Sequence, residues 1–169
     1  LQVHSLDPPA GPDAPMTLCD PAAALRYVAQ ADKLGIPFRV ALPTYGYVAA
    51  FDPQGNLVGL SAEGPLQAWP AGVHLRELRS DPAQIAGLVQ AWTRNRPSHL
   101  QGVIWYRLPT DRDAFNWRWA TLRTVMGGRV PRPALRAELR RPEPRDMIAV
   151  EIADLRRASG GGMVNFTGA

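Results

Sequence analysis

The chain holds one cysteine, Cys19. No disulfide can close within it, and a cysteine-based metal site is excluded. Lysine is almost missing as well: Lys33 stands alone among 19 basic residues, the rest being arginine. No apolar run approaches the roughly 20 residues of a membrane span, and no signal peptide is visible. Glycine-rich phosphate loops of the G-x-G-x-x-G or G-x-x-x-x-G-K kind are absent, which removes the usual nucleotide sites. His4, His74 and His99 have no metal-ligand spacing with a third ligand. No metal and no cofactor is therefore expected.

The 169 residues suffice for an ordinary domain with a core. Hydrophobic residues make up 46% and charged ones 20%, a globular rather than a disordered composition. The net charge of +4 invites a nucleic-acid reading. Residues 1–128, however, carry 11 basic and 10 acidic groups, and the surplus lies in residues 129–169. No basic stripe with interleaved aromatics forms, so a nucleic-acid partner is not expected. The chain starts at Leu1 without a methionine, inside what reads as a strand. It is expected to be an excerpt of a longer protein.

"LQVHSL", residues 1–6, reads as a short strand, and the prolines that follow forbid regular structure. Asp20-Pro21 is an N-cap followed by proline at the first helical position, and Gly35 stops that helix. "FRVAL", 38–42, is a strand. "YVAAF" and "LVGLS" flank the turn "DPQGN", a hairpin signal, and "VHLREL" is a further strand. Asp81-Pro82 repeats the cap, ahead of Ile85, Leu88, Val89 and Trp92 at helical spacing. "GVIWYRL", 102–108, is a third main strand, and residues 115–126 are expected to be a third helix. Alternating strands and helices imply parallel strands, and these strands are apolar on both faces, as strands covered on both sides must be. From residue 129 the pattern changes to prolines and period-two alternation, as in "LRAELRR" and "MIAVEIADL". That suits the beginning of an antiparallel, β-sandwich-like module.

Parallel strands deliver their C-terminal ends to one rim, where sites gather. Gln2, His4, Ser5 and Asp7 reach it from the first strand. Thr44, Tyr45 and Tyr47 reach it from the second, and Trp105, Tyr106, Arg107 and Asp111 from the third. Rings stack on sugar faces, while amides, hydroxyls and carboxylates bind sugar hydroxyls. The set suits a glycan or other polyhydroxylated ligand better than a phosphate. Each residue also has an ordinary structural reading: Trp105 as core, Tyr45 as turn filler, His4 as a satisfied core histidine, Asp7 as a turn. Arg107 and Asp111 read as well as a solvated pair, and Trp117 and Trp119 read as structural.

Three stretches together resemble a known family. "GIPFRVALPTYGY" resembles the seventh-strand signature of chitinase-like glycoside hydrolases of family 18, where a G-x-P-x-Y-G element ends the strand. "GVIWYRLPTD" is similar to their eighth strand. "LQVHS" is similar to the sixth strand's Q-x-Y element, with His4 in place of tyrosine. The chain as a whole is similar to an uncharacterised bacterial family, domain of unknown function 3142, over residues 1–128. The resemblance implies a (β/α)8 TIM-like barrel of which this chain holds about three βα units, with an inserted β-hairpin. It also implies a sugar pocket with Trp105 as floor and Tyr45 and Gln2 as contacts.

The family's D-x-x-D-x-D-x-E motif does not occur here. Its mechanism uses one carboxylic acid while the substrate's acetamido group attacks, so the general acid is expected upstream. His4 and Asp7 are the catalytic candidates within the chain. Gln2, His4, Tyr45, Tyr47, Trp105, Arg107 and Asp111 are the expected ligand contacts. The expectation is thus a portion of a glycoside-hydrolase-like barrel that binds and in the intact protein cleaves a glycan. A non-catalytic carbohydrate-binding or scaffold protein is the alternative, and a complete flavodoxin-like domain a third. The compartment stays open, an extracytoplasmic one being preferred, and the oligomeric state is not legible.

Overall fold

A computed structural model of the chain describes residues 1–5, 7–62, 68–110, 113–132, 135–140, 149–154 and 164–166. Two compact units divide at Pro131. The first is a mixed α/β unit with three helices and two small sheets.

Helix α1, Pro21–Asp32, starts where Asp20 caps it; the Asp20 carboxylate accepts the Ala22 N–H at 2.9 Å. Helix α2, Pro82–Arg94, repeats the device, with Asp81 accepting from Ala83 at 2.8 Å. A side-chain oxygen here satisfies an amide that has no partner in the first helical turn. Gly35, at φ +70°, follows α1 in the left-handed conformation that glycine adopts without a Cβ clash.

Strand β1, Phe38–Pro43, pairs in parallel with the strand Leu100–Tyr106 (β5), in register Val40 to Val103 and Leu42 to Trp105. On the other side of β1, Gln2 forms a parallel bridge to Ala41, whose N–H donates to the Leu1 carbonyl at 2.8 Å. The first segment, β1 and β5 thus run the same way, as the sequence predicts. The first segment makes a single bridge rather than a strand. At Ser5 its backbone leaves the ladder, donating to the Leu18 carbonyl at 2.9 Å. No closed barrel occurs among the described residues.

Alternation along each segment assigns its faces. Val3, Val40, Leu42, Val103 and Trp105 pack with Val28, Leu88 and Leu122 of the helices into the main core. Each fully buried leucine or valine there contributes about 1.5–3 kcal/mol. The opposite face carries Gln2, His4, Ala41, Ile104 and Tyr106. It was expected to be covered, but Ile104 and Tyr106 are 48% and 49% exposed.

Strands β2 (Gly46–Phe51), β3 (Leu57–Ser61) and β4 (His74–Arg79) form an antiparallel sheet in the order β3-β2-β4. The predicted hairpin is its β2–β3 half. Asp52 closes the turn by accepting the amides of Gln54 and Asn56, with Gly55 at φ +84°. Tyr45, Tyr47, Ala49, Phe51 and Leu78 meet Leu18 and Met16 in a second core.

Helix α3 spans Trp119–Met126, shorter than the predicted 115–126. Asp113 accepts the amides of Phe115 and Asn116, and the Trp117 N–H donates to the Thr44 carbonyl at 2.8 Å. Those bonds hold residues 115–117 out of the helix. In the second unit, β6 (Leu135–Arg140), β7 (Ala149–Asp154) and β8 (Val164–Phe166) form an antiparallel sheet in sequence order.

Candidate functional site

The trailing ends of the three parallel segments converge. His4 lies nearly parallel to Tyr106, with ring centroids 5.9 Å apart. Tyr45 meets both rings edge-on, at 5.8 Å from His4 and 5.7 Å from Tyr106. Such edge-to-face and offset geometry suits the ring quadrupoles. Tyr106 is the half-exposed member, while His4 and Tyr45 are each 8% exposed.

A backbone hub fixes the Tyr45 end. The Thr44 N–H donates to the Tyr106 carbonyl at 2.7 Å, and the Thr44 hydroxyl donates to the Arg107 carbonyl. The Ser80 N–H donates to the Tyr45 carbonyl at 3.0 Å, and the Ser80 hydroxyl to the Pro43 carbonyl at 2.8 Å. The Trp117 indole donates to the Ser80 carbonyl at 3.0 Å, a bracing contact made from outside the helix in which the sequence places it.

Arg107 lies over the Tyr45 ring, its guanidinium carbon 5.3 Å from the centroid. Its Nη2 stands 3.1 Å from the Asp113 carboxylate and donates to the Ala62 carbonyl at 2.8 Å. Asp113 therefore neutralises the charge nearest the rings. Burial holds His4 below the ordinary histidine value, against the smaller upward pull of a backbone hydrogen bond at Ala41. Burial likewise raises the Tyr45 phenol. Burial thus favours the neutral imidazole of His4, and the cluster presents aromatic faces with hydroxyl and imidazole edges. It can stack on an apolar ring face and exchange hydrogen bonds with hydroxyls.

The chain belongs to the DUF3142 family, a domain of unknown function, whose family model matches residues 1–111. No curated protein and no solved structure matches it. The DUF3142 match takes in His4, Tyr45, Tyr106 and Arg107 and stops short of Asp113 and Trp117, which brace them.

The expected residues separate into groups. His4, Tyr45 and Arg107 come together. Gln2 lies on the same sheet face and is exposed, its amide donating to the His4 carbonyl at 3.5 Å. Tyr47 points into the second core, its hydroxyl donating to Met16 Sδ at 3.5 Å. Burial raises its phenol too. Trp105 packs on the helix side of β5, so the structure does not bring it to the ring cluster. Asp7 is exposed and lines a cleft with Gln2 and His4. Asp111 lies outside the described residues, as does Glu63.

Tyr106, which the sequence places at the rim but not among the ligand contacts, is the exposed ring of the cluster. The sequence signal was available: with Val103 and Trp105 on one face, Ile104 and Tyr106 must take the other. Asp113 had a weaker signal, a carboxylate two and three residues before the amides it caps. Among the described residues, no group of histidine, cysteine or carboxylate side chains is arranged to hold a metal. No helix there is long and apolar enough to cross a membrane.

Proposed function

We propose that the His4–Tyr45–Tyr106 cluster is part of a binding surface for a glycan or other polyhydroxylated ligand, in the last portion of a TIM-like barrel. The observation that carries this reading is the meeting of three rings from three parallel segment ends, all within 5.9 Å of one another. The neutral electrostatics support it, because a sugar hydroxyl is better matched by uncharged donors and acceptors than by an unpaired ion. The resemblance of "GIPFRVALPTYGY", "GVIWYRLPTD" and "LQVHS" to family 18 strand ends supports the same ligand class and the barrel.

Within this chain the role is binding. Asp113, the carboxylate paired with the Arg107 that lies over Tyr45, is committed to Arg107 and to the amides of Phe115 and Asn116. Any glycosidic cleavage draws its acid from elsewhere in the intact protein. This observation favours the non-catalytic reading for the chain taken alone.

The test is titration of the chain with neutral oligosaccharides, followed by NMR. Tyr106→Ala removes the exposed platform without opening a core. Loss of one aromatic contact of about 1.5 kcal/mol predicts binding about tenfold weaker. Binding unchanged in Tyr106→Ala would end the proposal.

A further inference from the structure

His4 belongs to two environments. Its ring centroid lies 5.8 Å from that of Tyr45 and 5.9 Å from that of Tyr106. The same residue lines a cleft of about 400 Å³ with Gln2, Ser5, Asp7, Thr17, Asp20 and Tyr27. Tyr45 and Tyr106 do not line that cleft. The two environments suit opposite charge states of the imidazole.

Inside the cluster only the neutral ring is satisfied. The hydrogen bond at Ala41 favours the charged form, so a ring N–H gives it to the backbone carbonyl. Nδ1 is buried and has no partner. In the neutral ring it is an idle lone pair. Protonation turns it into the N–H of a cation, with neither water nor an acceptor beside it. A buried charge without a partner is far costlier than an unpaired lone pair.

The groups around the ring divide in the same way. On the cluster side, the Arg107 guanidinium already lies over Tyr45, and Asp113 is engaged as its counter-ion. Tyr45 and Tyr106 offer an imidazolium ring faces and phenols that stay neutral in acid. Burial keeps Cys19, whose Sγ meets the Val3 carbonyl, a neutral thiol. On the cleft side stand the exposed carboxylates of Asp7 and Asp20 and the half-exposed Tyr27 ring. No lysine or arginine is among the described residues that line it.

We propose that His4 gates the ring cluster: once protonated, its ring leaves Tyr45 and Tyr106 for the cleft, and the cluster loses one of its three walls. Control of ligand binding by this gate rests on the reading of the cluster as a glycan surface; the movement itself does not.

The test is NMR of the whole chain between about pH 7.5 and pH 4.5, a range that spans histidine titration, first without ligand. Ring-proton NOEs from His4 to Tyr45 and Tyr106 should be present at the neutral end. They should fade with the midpoint at which the His4 ring shifts, and contacts from His4 to the Tyr27 ring should replace them. Methyl signals of Val40, Leu42 and Leu122 in the main core should stay unchanged. Contacts to Tyr45 and Tyr106 that survive protonation of His4 overturn the gate. So does loss of the core signals in the same step, which is unfolding and not a local movement. His4→Phe, a ring without a titrating nitrogen, should hold its contacts throughout.

A second arm adds a neutral oligosaccharide, so that only groups of the protein titrate. One pH unit below the midpoint about one chain in ten keeps the closed cluster, and binding should be about tenfold weaker than at the neutral end. Binding by His4→Phe should be level with pH. Affinity of the unaltered chain that stays level while its His4 contacts disappear overturns the gate as a control of binding. Opening at the His4 midpoint with no oligosaccharide bound at any pH leaves the gate standing and removes the glycan reading.

Discussion

Tyr45 and Tyr106 meet edge to face with centroids 5.7 Å apart, though one follows β1 and the other ends β5. Parallel pairing makes this meeting possible. Pro43 is in register with Tyr106, so the residues just past β1 arrive beside the last residue of β5. His4 joins from the third parallel segment. An antiparallel arrangement would have sent one of the three to the far end of the sheet.

The burial of His4 predicts an acid-sensitive fold. Burial lowers its folded pKa below the 6.5 of the free ring. As pH falls through about 6.5, the unfolded chain takes up a proton that the folded chain refuses. Stability is therefore full above that value and declines as pH falls towards the folded pKa. Urea midpoints measured between about pH 7 and pH 5 should fall, and His4→Phe should flatten the slope. In the unaltered chain the His4 ring proton should titrate below 6.5. A midpoint at or above that value contradicts the argument.

Asp113 predicts a large stability loss at a position that looks like loop. It is 8% exposed, pairs with Arg107 and caps two backbone amides. Removing its carboxylate leaves the buried amides of Phe115 and Asn116 without their acceptor and takes one partner from Arg107, at a cost of about 3 kcal/mol. Asp113→Ala should lower the free energy of urea unfolding by about that amount. Asp113→Asn, which keeps the acceptor oxygen, should lose less. A loss below about 1 kcal/mol for Asp113→Ala would show that the hub holds without it.

Much of this organisation was legible in the sequence because it is local. Asp20-Pro21 and Asp81-Pro82 announce helix starts through chemistry confined to three residues, and both carboxylates cap as predicted. "DPQGN" announces its turn in the same way. The parallel order followed from alternation of strands and helices. What escaped depends on contacts distant in sequence. Residues 115–117 have the composition of a helix start, yet bonds to Thr44 and Ser80 decide their path. Trp105 and Tyr106 differ by one step along a strand. Choosing between them required knowing which face the helices cover.

Cys19 is predicted to be inert in the folded chain. Burial, with a smaller contribution from the Asp20 charge, pushes its thiol up to about 11. Its Sγ donates weakly to the Val3 carbonyl at 3.8 Å. The thiolate is the reactive form, so at about pH 8 almost none is present. An aromatic disulfide reagent should react slowly with the native chain and rapidly in urea. Rapid reaction without denaturant would mean that the loop over Cys19 opens freely.

Two glycines of similar sequence surroundings should respond in opposite directions to alanine. A Cβ at Gly59 in β3 would lie 2.5 Å from Trp69 Cη2 and 2.7 Å from Cζ3. The indole lies against that backbone, and a rigid ring cannot yield at its tip. Gly59→Ala should expel Trp69, costing about 1–3 kcal/mol and shifting tryptophan emission to the red. A Trp69→Phe background identifies the source of that shift. Gly87 lies inside α2 with nothing within 4 Å of a built Cβ. Alanine there meets no obstacle and removes the entropic penalty of a helical glycine. Gly87→Ala should therefore stabilise the chain by about 0.5–1 kcal/mol in urea unfolding. Destabilisation at Gly87 would mean that α2 is packed more tightly on that side than the open space indicates. A neutral Gly59→Ala would mean that the Trp69 ring has somewhere else to lie.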